Sequence, residues 1–147
     1  MRNSSSLWFV AGFAVLAGAY SSVRAQQPAA QSVLDGIYSA AQASRGEKVY
    51  TENCATCHGP KLEGTSTSGP TLSGPDFTNG WKDMSAGALL NKINQDMPSN
   101  APGTLTPEQY ADVMAFVLSV NKYPAGSTEL TTDANALKTV KMAAPKS

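Results

Sequence analysis

Apolar residues along this chain fall into four groups, separated by stretches with no period. The first is Leu7–Tyr20, LWFVAGFAVLAGAY, fourteen uncharged and mostly apolar residues that follow Arg2. A polar run ends at Val23-Arg24-Ala25 and leads into Gln26-Gln27-Pro28. Fourteen residues fall short of the roughly 20 that span a bilayer. Small or aliphatic residues two apart before a polar run fit a secretory cleavage site. We read 1–25 as a signal peptide, with an uncleaved membrane anchor as the alternative.

The second group lies in 39–54. Ser39-Ala40-Ala41-Gln42 has the form of a capping box, Ser39 as N-cap and Gln42 three residues on. Ala43, Gly46, Val49/Tyr50 and Cys54 then recur at helical spacing. Gly46 within a helix costs about 1 kcal/mol relative to Ala, which close approach of another helix would offset. The polar leader 26–38 before it carries Val33, Leu34, Ile37 and Tyr38, apolar residues able to dock on a domain.

The third group starts at Ser85, a favourable N-cap, and runs to Asn94 or Gln95. Leu89, Leu90, Ile93 and Met97 mark its apolar side, and Pro98 ends it. The fourth is the clearest. Thr106-Pro107-Glu108-Gln109 combines an N-cap, proline at the first helical position and glutamine three after the cap. Tyr110, Val113, Met114, Val117 and Val120 give the i, i+3, i+4, i+7 stripe, ending near Asn121. In the tail 122–147, Pro124–Gly126 reads as a turn and Asp133 as the cap of a short helix through Lys138. No repeat and no strand-like alternation occurs, so the pattern predicts an all-α fold.

Between the second and third groups, residues 59–84 hold five of the twelve glycines and three of the nine prolines, and no sustained period. A structureless loop this long is unusual in a compact domain. It becomes reasonable if it wraps a bulky group, with Leu62, Leu72, Phe77 and Trp81 as apolar lining.

Charge narrows the function. Eleven Lys+Arg balance eleven Asp+Glu. Cleavage after Ala25 would remove Arg2 and Arg24 and leave 122 residues with nine bases against eleven acids, a net of −2. No basic cluster survives to hold nucleic acid, and no single strong docking field is expected. An exported chain meets an oxidising compartment, yet it has only two cysteines, Cys54 and Cys57, and one histidine, His58.

These three form Cys54-Ala55-Thr56-Cys57-His58, the C-x-x-C-H attachment motif for c-type haem. Two intervening residues let one helical turn present both thiols to the two vinyl groups on one porphyrin edge, as thioethers. The adjacent imidazole then reaches the iron as proximal ligand. A plain disulfide leaves His58 unexplained. A thioredoxin-like dithiol calls for a strand before the motif and a helix after it, against the helix and loop expected here. A tetrahedral zinc site lacks its fourth ligand, since the chain has no further Cys or His.

The sixth ligand must come from another residue type. Met114 lies on a core stripe, in the gap-filling role usual for methionine, and Met142 sits in a polar tail. Met84 precedes a helix and Met97 follows one. Met97 is better placed, because Pro98 stiffens the loop that carries its sulfur. A thioether is soft and uncharged and favours the ferrous state.

Taken together, these residues resemble the class I c-type cytochromes over Ser39 to Asn121. Gly46 and Tyr50 stand where that family has a glycine and an aromatic, eight and four positions before the first haem cysteine. Phe116, with Val113 one turn earlier, matches the aromatic they pack against on the C-terminal helix. Gly69-Pro70-Thr71-Leu72 matches a Gly-Pro-x-Leu segment whose proline carbonyl accepts the second N–H of the proximal histidine. The resemblance implies a cytochrome c fold, three to five helices with long loops around one covalently bound haem c. It implies Cys54 and Cys57 as thioether anchors, and His58 and Met97 as axial iron ligands. Outer-sphere carriage of single electrons would then need no catalytic residue. The leader 26–38 and extension 122–147 lie outside the minimal fold. They resemble bacterial monohaem cytochromes associated with quinoprotein (PQQ-dependent) dehydrogenases. That narrower likeness implies redox protein partners, such a dehydrogenase and a terminal oxidase or other cytochrome among them. The expected location is periplasmic, with no membrane span after cleavage. A haem enzyme subunit or sensor with a labile sixth ligand, and a dithiol redox protein, are the rival classes.

Overall fold

The computed structural model describes residues 30–145, and the signal peptide expected over 1–25 lies outside them. Five α-helices follow in order: α1 Ala40–Asn53, α2 Ala55–His58, α3 Gly74–Trp81, α4 Ala86–Asp96 and α5 Pro107–Val120. A 3-10 turn, Val33–Asp35, precedes them, closed by a reciprocal Ser32/Asp35 capping box. Among the described residues there are isolated β-bridges and no strands. The fold is all-α, as the periodicity predicts.

α1 and α5 form the principal helix pair. Gly46 lies at their crossing, where a Cβ would overlap the backbone carbonyl of Asp112. Arg45, the neighbouring residue, reaches over the crossing to both carboxylate oxygens of Asp112, at 2.9 and 3.0 Å. The predicted caps of α4 and α5 are present: Ser85 accepts from Ala88 N–H, and Thr106 and Gln109 complete a reciprocal box.

The box expected at Ser39 is only half formed. Ser39 accepts from Gln42 N–H, but the Gln42 side chain turns inward and pairs with both backbone groups of Leu130. Gln42 is 2% exposed, so its amide has more to gain from a buried backbone than from a helix end.

A second correction concerns 59–84, which is not continuous loop. Ser73 stands as N-cap of α3, with Pro75 in its first turn, where the missing N–H costs nothing. The helical turn from Asp133 to Lys138 is not formed. Asp133 accepts from Asn135 N–H, and successive i→i+3 bonds produce a run of turns instead.

Nor is the tail a polar appendage. Met142, Val140, Leu137, Leu130 and Tyr123 are all buried. The leader is buried with it, through Val33, Ile37 and Tyr38. Backbone bonds interleave the two: Val33 N–H to Lys141 O at 3.0 Å, Lys141 N–H to Gln31 O at 2.9 Å, and Gly126 N–H to Tyr38 O at 2.7 Å. The tail also meets the start of α4, by Ala86 N–H to Val140 O at 2.8 Å and Met142 N–H to Met84 O at 3.0 Å. The tail thus completes the wall against which α4 is set, and the leader is laced to the tail. Among the described residues no helix is long and apolar enough to cross a membrane.

Candidate haem site

Cys54, Cys57, His58 and Met97 all line one cavity of about 720 Å³. The chain brings together the four residues that the sequence singles out. The cysteines are free thiols and half-buried. Burial, with the nearby Cys57 adding to it, pushes the Cys54 thiol up to about 11.

His58 is buried and its ring is oriented from behind. Its Nδ1 lies 2.8 Å from the Pro70 carbonyl oxygen. A carbonyl only accepts, so Nδ1 carries the proton and Nε2 keeps its lone pair for a metal. Gly69 makes this approach possible. A Cβ there would lie 2.8 Å from Cys57 O and 3.0 Å from His58 Nδ1.

The loop after the motif satisfies carbonyls at the end of α2. Gly64 N–H donates to His58 O at 2.7 Å and Thr65 Oγ1 to Cys57 O at 2.9 Å. Tyr50 donates to Gly59 O at 2.6 Å, and its ring packs on Phe116 with centroids 5.2 Å apart. The helix crossing and the motif are thereby tied through one side chain.

The walls are supplied by Leu72, Phe77, Trp81, Ile93, Val113 and Val117. Leu62, expected among them, is instead fully buried in the core behind the loop, where its N–H donates to Gly59 O and its carbonyl accepts from Leu72 N–H and from Thr71 Oγ1. Met84 is 45% exposed and does not line the cavity, and Met114 and Met142 are core residues. Of the methionines in the described residues, Met97 alone reaches it.

Two residues in the scaffold of the site went unread in the sequence. Asn121 accepts from Gly74 N–H at 2.9 Å and donates to Leu72 O at 2.8 Å, so the end of α5 holds the Leu72–Gly74 segment. Tyr110 donates to Met97 O at 2.9 Å. A lone Asn at a helix end and a Tyr on a core stripe give no local signal of such partners.

These features suit a flat, apolar, covalently tethered group. The cavity has the size of an ordinary cofactor site. Two thiols and one oriented imidazole lie on it, and Gly69 leaves the imidazole the room that a side chain would take. The model of the family described as cytochrome c oxidase, cbb3-type, subunit III matches residues 41–117. The chain belongs to this family of c-type cytochromes. As a class I c-type cytochrome it carries covalently bound haem c and serves haem-based electron transfer.

The fold of this cytochrome is also similar to a chain in the crystal structure of the sulfane dehydrogenase SoxCD from Paracoccus pantotrophus. The two share 23% identity with a TM-score of 0.50, over 67% of this chain and 52% of the other. The cytochrome thus corresponds to about half of that chain's length. No curated protein matches it.

Proposed function

We propose that the chain is an exported, periplasmic, monohaem electron carrier. In this reading Cys54 and Cys57 hold the haem as thioethers, and His58 and Met97 are its proximal and distal iron ligands. The observation that carries it is the convergence of these four residues on one largely apolar cavity.

Haem c supplies a one-electron iron couple when bound. The chain's own residues account for the rest. Pro70 O and Gly69 hold the His58 ring in one orientation, as second-shell partners do for metal-ligating histidines. Phe77, Val113 and Val117 exclude water from the interior of the cavity, and Met97 contributes a neutral sulfur that favours the reduced state. Among the described residues, the ionisable side chains on the cavity besides the two cysteines and Tyr50 are His58, Asp76 and Lys92. His58 is the sole histidine, Asp76 is exposed at the rim, and Lys92 is paired with Asp96 at 2.7 Å. That supports outer-sphere electron transfer over chemistry on a substrate.

Redox proteins are the proposed partners, with a quinoprotein (PQQ-dependent) dehydrogenase as one and a terminal oxidase or another cytochrome as the next.

Replacing Met97 with Ala tests the ligand set. The sulfur-to-iron absorption at the red edge of the oxidised spectrum should vanish, and its persistence would refute Met97. Alkaline pyridine treatment of protein made with haem-attachment machinery should give a c-type band, and Cys54→Ala or Cys57→Ala should weaken it.

A further inference from the structure

The segment that carries Met97 is a loop, Met97 to Thr106, between α4 and α5. It is rich in residues that disfavour regular structure: Pro98, Pro102 and Gly103. Its middle has only local bonds, Ala101 N–H to Pro98 O and Thr104 Oγ1 to Ala101 O. Such a loop would hold a ligand poorly by itself, since an anchoring backbone must resist small displacements for its side chain to stay placed.

Tyr110 supplies the missing constraint. It sits in the first turn of α5, next to the capping box, and is 4% exposed. Its hydroxyl donates to Met97 O at 2.9 Å and lies 3.5 Å from the N–H of Leu105, which points at it as a donor. One oxygen thus touches both ends of the loop. Met97 N–H is taken by Ile93 O at 3.2 Å, so both backbone polar groups of Met97 are engaged, one by α4 and one by α5.

We propose that Tyr110 is the positioning residue for the distal ligand: its hydroxyl clamps the Met97 loop shut and sets how readily the Met97 sulfur leaves the iron. This rests on Met97 being the distal ligand. In this proposal the sulfur leaves the iron together with a movement of the Met97 backbone, and that movement breaks the bond to Tyr110. A hydrogen bond of ordinary net strength then lowers the affinity of a competing ligand by roughly three- to tenfold.

The test is imidazole titration of the oxidised, haem-loaded protein, followed by loss of the sulfur-to-iron band, below the denaturing range. Three proteins are compared: wild type, Tyr110→Phe and Tyr38→Phe. Tyr38 also donates from a buried hydroxyl, at 2.6 Å, but to Tyr123 O and not to the Met97 loop. Tyr110→Phe should bind imidazole roughly three- to tenfold more tightly than wild type. Tyr38→Phe should bind it as wild type does, whatever its stability. Equal affinity in all three, or an equal gain in both variants, overturns the clamp. Met97→Ala separates the two claims. If it keeps the band, the ligand reading falls and the clamp with it; if it loses the band while Tyr110→Phe titrates as wild type, only the clamp falls. Should Tyr110→Phe fail to load haem, proton NMR of the reduced wild-type protein decides. A slowly exchanging Tyr110 hydroxyl proton close to the Leu105 amide supports the clamp, and a hydroxyl in free exchange with water overturns it.

Discussion

Gly46 of α1 lies directly against the backbone carbonyl of Asp112 in α5, with no space for a side chain between them. The crossing is the keel of the molecule. Tyr50, one turn further along α1, packs its ring at a tilt on Phe116 of α5 and reaches Gly59 at the end of the haem motif. A change at the crossing is therefore felt at the site.

Helix propensity and packing make opposite predictions for Gly46→Ala. Propensity alone would stabilise by about 1 kcal/mol. Overpacking against a rigid carbonyl costs about 1–3 kcal/mol, occasionally more, and α1 must then shift away from α5. We expect net destabilisation, read as a lower urea midpoint for the haem-loaded variant. A raised midpoint would mean that the helices cross more loosely than described.

Met142 tests whether the tail belongs to the core. It is 1% exposed and packs in the same core as Leu89 and Leu90 of α4. Met142→Ala should cost about 2–5 kcal/mol. A surface appendage would give a change within about 0.5 kcal/mol. Denaturant unfolding of wild type and variant distinguishes them.

Tyr50 should leave a signature at alkaline pH. Burial, helped by the charges of Cys54 and Glu63, pushes its phenol up to about 12. Once Cys54 is a thioether it cannot charge, and burial and Glu63 remain. Below pH about 10 both folded and unfolded chains keep the proton, so the contribution is complete there. Between about 10 and 12 the unfolded chain releases it first, and stability falls as pH rises. Tyr50→Phe should show a shallower decline over this window, measured by denaturant unfolding at stepped pH. An unchanged slope would place the phenol in an ordinary environment.

The helices with strong local signals were legible from the chain alone. α1, α4 and α5 each pair a side-chain N-cap with a repeating apolar stripe, and both signals act within one or two turns. α3 was not, because Gly74, Pro75 and Gly80 read as loop residues while Phe77 and Trp81 face the cavity. Its stability comes from what it covers, not from its own sequence. The tail failed for the same reason. Val140 and Met142 look isolated among polar residues, and only their pairing with Met84 and α4 makes them core. At the site, Cys54, Cys57 and His58 are adjacent and so visible, and Met97 stood out by its proline. Asn121 and Tyr110 act across 47 and 13 residues of chain, beyond any spacing rule.

The central claim is a haem iron closed by His58 and Met97 for electron transfer. It is tested most directly by adding carbon monoxide to the reduced protein at neutral pH. A chain built as described gives a low-spin ferrous spectrum that carbon monoxide leaves unchanged on mixing. A high-spin ferrous haem that binds carbon monoxide rapidly would contradict it, and would make the chain a haem enzyme or sensor with an open sixth position.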